Sequence, residues 1–249
     1  MLLMALRGGL APLFAVLRNL RLMLPLLASA LAIAVNWLTY VWAVTTDHVL
    51  AASLGYFLNP LVNVLLGVLL LKERLRRGQA IALLIAAAGV TVMAAAAFHT
   101  LWISIVLALS FAFYGLVRKL TPVTPMAGLG AETMILLPPA LACLGWLAGN
   151  GSLAFGGDLP TSLLIMVSGA VTTVPLLLFA LAARRLPMAT LGLLQYLAPT
   201  LQFLSGVFLY GEPLGRGQIV SFALIWFGLI LFAADSYRAA RQARTAFPV

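Results

Sequence analysis

The side chains in this sequence that could do chemistry are few, and most lie inside apolar runs. Six acids, two histidines and one cysteine are spread over 249 residues. His48, His99 and Asp47 sit in short connections without ligand spacing, Asp158 is solitary and Cys143 has no second thiol. Neither a metal site nor an intrachain disulfide is therefore expected. No acid/base pair, no nucleophile with its base and no phosphate-cradling glycine loop is present, so no enzymatic activity and no cofactor are expected. What remains is recognition by amides and phenols. Tyr56, Asn59, Asn63 and Gly67 are spaced 3, 4 and 4 and share one face of a helix. Asn36 and Tyr40 share a face of the preceding helix, and Tyr114 is a weaker case of the same kind. Glu132 is the one acid clearly inside an apolar run, and it is the candidate for coupling. The competing reading pairs it with Arg118 or Lys119.

The elements that must carry these residues follow from composition. Apolar residues make up 63% of the chain and charged residues 8%, with a mean hydropathy of +1.11. That places it among multi-spanning membrane proteins, since each crossing of the bilayer core takes roughly 20 apolar residues. Eight runs suffice: Leu22 to Val44, Val49 to Leu71, Gly78 to Phe98, Leu101 to Val117, Ala127 to Ala148, Thr161 to Ala183, Met188 to Tyr210 and Gly217 to Ala234. The net charge of +9 would suggest nucleic acid in a soluble protein. Here the basic residues fall in short clusters between the runs, and 14 of the 15 fall on one side, Arg216 being the exception. They read as topology signals that place the C-terminus in the cytoplasm of a bacterial inner-membrane protein, with no nucleic-acid partner. At bilayer depth a polar stripe avoids lipid, so it either crosslinks helices or lines a wet cavity. Trp42 belongs to the interfacial aromatic belt.

A shift of 139 residues lays the middle of the chain on its end without a gap. Leu54, Pro60, Gly67, Glu73, Gly78, Gln79 and Gly89 fall on Leu193, Pro199, Gly206, Glu212, Gly217, Gln218 and Gly228. Leucine matches come from shared composition, but Pro, Gly, Glu and Gly-Gln in register do not. The matched loops differ in basic content, four residues in Lys72 to Arg77 against one in Gly211 to Arg216, so they lie on opposite faces and the repeats are inverted. Inverted repeats are a common transporter design, with the site between the halves near the midplane. Under the shift Tyr56 maps to Gln195 and Asn63 to Gln202, which extends the candidate cavity to Asn36, Tyr40, Tyr56, Asn59, Asn63, Gln195 and Gln202. Pro60 and Pro199 are matched helix kinks that free the carbonyls of Tyr56 and Gln195. Glu73 and Glu212 lie at helix ends beside basic residues and read as structural.

The stretches NWLTYVWAV, SLGYFLNPLVNVLLGVLLLKERL, FYGLVRKLTPV, AETMILLPP and LGLLQYLAPTLQFLSGVFLYGE resemble the RarD family, in the EamA branch of the drug/metabolite transporter superfamily. The resemblance runs from about Arg18 to Ala234. It implies an all-α integral membrane fold of ten helices in two inverted five-helix repeats, a central cavity, and export or exchange of small metabolites or drugs. The alternatives are a non-enzymatic channel, a lipid-handling protein or an inactive fragment of a transporter. A small-molecule substrate and the lipid bilayer are the expected partners, and a homodimer is open.

The domain organisation expected is a first repeat at 1–99, a second at 100–238 and a basic cytoplasmic tail at 239–249. The helix at Leu101 opens the second repeat, so its mate would begin about 38 residues before Met1. Ala127 to Ala148 would map onto a span ending at Gly9. Eight complete helices plus a stub, Met1 to Gly9, are thus what a ten-helix protein truncated at its N-terminus would show, and such a fragment is expected to be poorly stable.

Overall fold

In the computed structural model residues 10–96, 98–210 and 216–246 are described. Among them the chain forms ten α-helices: α1 (Leu10–Leu17), α2 (Leu20–Thr45), α3 (Val49–Leu69), α4 (Arg77–Ala96), α5 (Leu101–Leu120), α6 (Pro125–Gly149), α7 (Leu159–Arg185), α8 (Met188–Gln195), α9 (Leu197–Tyr210) and α10 (Arg216–Ala246). A 3₁₀ turn spans Phe98–Thr100. There is no strand among the described residues, and the Gly149 to Pro160 connection holds only an isolated bridge between Phe155 and Asp158. Seven helices, α2 to α7 and α10, contain segments long and apolar enough to cross a membrane. The expected stub, residues 1–9, lies outside the described residues.

Helix boundaries follow local signals. The Thr124 side chain accepts the Ala127 N–H and Pro125 opens α6. Asp158 does the same for Thr161 at the start of α7. The eighth expected run, Met188 to Tyr210, is two helices and not one. Pro199 has no N–H to give the Gln195 carbonyl, so the ladder stops there. The Tyr196 N–H turns to Leu193 O at 3.2 Å, and Thr200 N–H to Tyr196 O at 3.1 Å restarts it. Pro60, its mate, stays inside an unbroken α3. Two further differences appear at the ends: the eight-residue α1 lies before the first expected run, and α10 continues to Ala246 through residues too polar for the bilayer core.

Two compact units divide the chain, Met1–Val35 with Phe113–Leu186 and Asn36–Ala112 with Pro187–Val249. Each draws on both sequence repeats. In the first unit Leu13, Val16 and Leu26 cluster with Val123 of the α5–α6 connection and with Ala127 and Ala131 of α6. In the second, Leu54 and Phe57 of α3 meet Ala82, Ala86 and Val90 of α4, Leu193 and Tyr196, and Phe222, Ile225 and Phe232 of α10. Many large apolar side chains stay on the outside, Leu38 at 71% and Leu164 at 70% exposure among them. In water this would be untenable; in a bilayer these side chains meet acyl chains as apolar as they are.

Burial alone then contributes little between helices, and close backbone approach decides which helices pair. The crossing of α4 and α10 shows this. A Cβ on Gly89 would stand 2.8 Å from Ser221 O, and a Cβ on Gly228 would stand 2.7 Å from Ala82 O. Gly89 and Gly228 are mates under the 139-residue shift, and so are Ala82 and Ser221. One contact is the image of the other, as in an isologous interface. At the crossing of α3 and α8 a Cβ on Gly192 would meet Pro60 O at 2.7 Å.

Candidate functional site

In the second unit Asn63 and Asn59 sit one turn apart on α3, both buried, and Gln195 ends α8 just before the break made by Pro199. Asn63 Nδ2 donates to Gln195 Oε1 at 2.8 Å. Gly192 makes this possible, because its missing side chain lets α8 approach within reach of an amide. Around the pair, Asn59 Oδ1, Asn63 Oδ1, Gln195 Nε2 and the Tyr196 hydroxyl are buried without a hydrogen-bond partner among the described residues. Each such atom is destabilising by about 1–3 kcal/mol until something satisfies it. Tyr56 is half exposed, and its ring meets Tyr40 edge-on at 5.7 Å between centroids. Tyr40 in turn meets Trp37 at 6.3 Å.

Asn36 does a different job. Its Nδ2 donates to Leu107 O at 2.8 Å and to Ser110 Oγ at 3.0 Å, stitching α2 to α5. Ser104 Oγ donates to Ala51 O at 2.6 Å and ties α5 to α3 in the same way. Gln202 lies on α9, but its side chain is outside the described residues.

The first unit holds a second polar cluster. Glu132 on α6 accepts a hydrogen bond from Ser29 Oγ at 2.5 Å. Its carboxylate lies 3.7 Å from Arg118 Nη1, with both side chains almost fully buried. Arg118 Nη2 also donates to Pro125 O at 2.9 Å. Tyr114, one turn earlier on α5, is fully buried and stacks on Phe179 at 6.1 Å. Any Cβ on Gly128 would run into the Arg118 guanidinium. Of the two partners weighed for Glu132 the structure selects Arg118, which lies beyond the expected run, at the end of α5, and is buried. Neighbouring basic residues cap carbonyls, Lys119 Nζ on Leu186 O at 2.5 Å and Arg184 on Val123 O. No group of three or more His, Cys, Asp or Glu side chains that could hold a metal ion occurs among the described residues.

The sequence matches the EamA-like transporter family model over residues 1–95. It is 50% identical over 218 residues to an uncharacterized transporter of Pseudomonas aeruginosa, covering 87% of this chain and 73% of the relative. It is 43% identical over 229 residues to Protein RarD of Streptomyces exfoliatus, covering 92% and 73%. The chain belongs to the RarD family of EamA-type transporters. A protein of known crystal structure, 18% identical, shares the RarD-type fold with a TM-score of 0.54, covering 86% of this chain and 88% of that one. This RarD-family chain is a multi-pass membrane protein of the transporter class.

Several residues of the RarD-family chain escaped sequence reasoning. Gly192 and Gly128 carry no signal beyond being glycine, because each is defined by what crosses it. Glu73 was read as structural without a partner. Its carboxylate accepts the N–H groups of Met188 at 2.8 Å and Ala189 at 3.1 Å, capping α8 from 115 residues away. A left-handed turn at Lys72 (φ 55°) points it there, and Gly67 leaves room for it. The Pro187–Met188 helix start was the available signal, since it has no side-chain cap of its own.

Proposed function

We propose that this chain is a secondary transporter that exports or exchanges small polar metabolites or drugs across the inner membrane. Its two inverted EamA-type repeats, 1–99 and 100–238, alternate about a site lined by Asn36, Tyr40, Tyr56, Asn59, Asn63, Gln195 and Gln202, followed by a basic tail at 239–249. The observation that carries the reading is the Asn63–Gln195 pair, whose own remaining amide atoms, Asn63 Oδ1 and Gln195 Nε2, are buried with Asn59 Oδ1 and the Tyr196 hydroxyl without partners among the described residues. Such atoms persist in a membrane helix where a ligand or water satisfies them in turn. The reciprocal α4/α10 contact supports inverted repeats, because only a two-fold relation maps it onto itself. Asn36 anchors α2 at the rim of this site. The matched prolines place breakable backbone beside the amides.

Glu132 is the coupling acid of this proposal, with Arg118 its counter-ion when ionised. The basic loops put the C-terminus in the cytoplasm. An untargeted metabolite comparison of cells with and without the protein identifies the substrate. Flux into proteoliposomes then tests the mechanism, and is expected to saturate and to show counterflow, which a channel does not. Asn63→Leu and Gln202→Leu are each expected to abolish transport with expression intact. Unchanged transport in both would reduce these residues to packing.

A further inference from the structure

Outside the amide and charged clusters, two adjoining concavities in the second unit have opposite character. One, about 550 Å³, lies at the helix ends and is lined by Arg74 and Arg76 of the α3–α4 connection, Gln79, Thr190 and Ser236. The other, about 810 Å³, runs between α8, α9 and α10 and is lined by hydrocarbon such as Leu193, Leu197, Leu229, Ile230 and Phe232. Thr190 and Ser236 line both, so the basic pocket opens into the apolar groove.

The basic pocket keeps unspent donors. Arg76 gives Nε to Asp235 at 2.7 Å and Nη2 to Ser236 Oγ at 3.4 Å, two of its five N–H groups. Arg74 is exposed and makes no ion pair among the described residues. Gln79 accepts the Arg76 backbone N–H through Oε1, which leaves its NH₂ to donate. Two carboxylates share this region, Glu73 in the pocket lining and Asp235 against Arg76. Each is already engaged, Asp235 with Arg76 Nε and Glu73 with the N-terminus of α8, which leaves Arg74 as the unpaired charge of the lining among the described residues. The groove has a length to match. From Ser236 to Trp226 it follows ten residues of α10, about 15 Å at the helical rise, which equals about one leaflet of a 30 Å hydrocarbon core.

We propose that these two concavities form one site for an anionic phospholipid of the surrounding bilayer. Its phosphate is held by Arg74, the free edge of Arg76 and the Gln79 amide, and one acyl chain lies in the groove between α8, α9 and α10. A free anion would use only the pocket, and a zwitterionic lipid only the groove; an anionic lipid uses both. Basic pockets at helix ends beside an apolar channel are where such headgroups bind. Occupancy would brace α8 and α9 against α10 next to the Gln195 break.

The test needs no transport, so its failure is separate from failure of the transport reading. The purified full-length chain in detergent is titrated with phosphatidylglycerol, with phosphatidylcholine and with inorganic phosphate, and bound lipid is counted by native mass spectrometry. Phosphatidylglycerol is expected to bind at least tenfold tighter than phosphatidylcholine, and millimolar phosphate is expected not to displace it. Arg74→Gln, at an exposed position, should weaken phosphatidylglycerol about fivefold, the worth of one basic residue at a charged membrane surface. Ala233→Trp, which fills the groove from another exposed position, should weaken both lipids alike. Equal binding of the two lipids, or wild-type binding by both variants, overturns the proposal. Displacement by phosphate alone makes the pocket a simple anion site, and loss of a dimer with lipid binding intact in Ala233→Trp makes the groove an interface between copies; either result overturns it.

Discussion

The two polar clusters solve the problem of polarity at bilayer depth in opposite ways. In the first unit the groups are ionised types, Arg118 and Glu132, each only 2% exposed. Burying one such charge costs several kcal/mol, so each must be close to its counterpart. Here the pair sits at 3.7 Å and is backed by Ser29 and the Pro125 carbonyl. In the second unit the groups are neutral amides, which bear an unmet hydrogen bond far more cheaply. One bond, Asn63 to Gln195, is made, and four polar atoms of the cluster are left over. Arg118 Nε and Nη1 and Glu132 Oε2 are also buried without a hydrogen-bond partner among the described residues. Both clusters thus keep unmet hydrogen-bonding capacity, and what separates them is that the first offsets one net charge with another across 3.7 Å while the second holds none. A buried charge needs its counterpart close by, whereas a neutral amide tolerates the loss of one hydrogen bond.

The sharpest way to break this contrast is to remove one charge. Glu132→Leu leaves Arg118 buried without its counterpart and should lose about 3–5 kcal/mol in denaturant unfolding, most of which Arg118→Met in the same chain restores. A loss under 1 kcal/mol for the single variant would mean that water already reaches the pair, and the contrast would fail. Next in size, Gly128→Ala drives a methyl into the Arg118 guanidinium and should cost about 1–3 kcal/mol by the same measurement. The amide cluster should respond the other way, with little stability change and a large change in activity. A double-mutant cycle of Asn63→Ala and Gln195→Ala is expected to give a coupling of about 0.6 kcal/mol, the usual scale for such bonds in membranes, while transport falls at least tenfold. Coupling of several kcal/mol would make the amide pair a structural lock like its charged counterpart.

The smallest effect lies at Asp158, a carboxylate outside both clusters. The Thr161 backbone N–H, donating at 2.8 Å, holds it below the usual carboxylate range. A lowered value means that its contribution is complete above the unfolded value, about 3.9, and disappears as pH falls through the lower folded one. Amide exchange at the start of α7 should therefore quicken only in strong acid, and Asp158→Asn, which keeps the cap without the charge, should remove that pH dependence.

How much of this was legible depended on the range of the cause. Six of the eight expected spans match a helix to within three residues at each end, because 20 consecutive apolar side chains can only be buried in a bilayer and the interruptions carry the charges; Met188–Tyr210 is split in two and the last helix runs on to Ala246. The helix break before Pro199 was foreshadowed by the proline itself, whose missing N–H is a property of one residue. The expectation of a repeat rests on Gly89 and Gly228, and Pro60 and Pro199, standing in register at a shift of 139 residues. Asn59, Asn63 and Gln195 could be named from periodicity and the shift, but not the bond between Asn63 and Gln195, which spans 132 positions. Arg118 and Lys119 could both be named as partners for Glu132, but only the packing chose Arg118 and set the bare Cα of Gly128 against it, and Glu73 looked like a helix-end charge until α8 arrived beneath it. Periodicity and composition are properties of one helix and can be read in order along the chain. Which glycine is crossed, which charge is buried and which amide finds a mate are properties of two helices at once, and only their packing decides them.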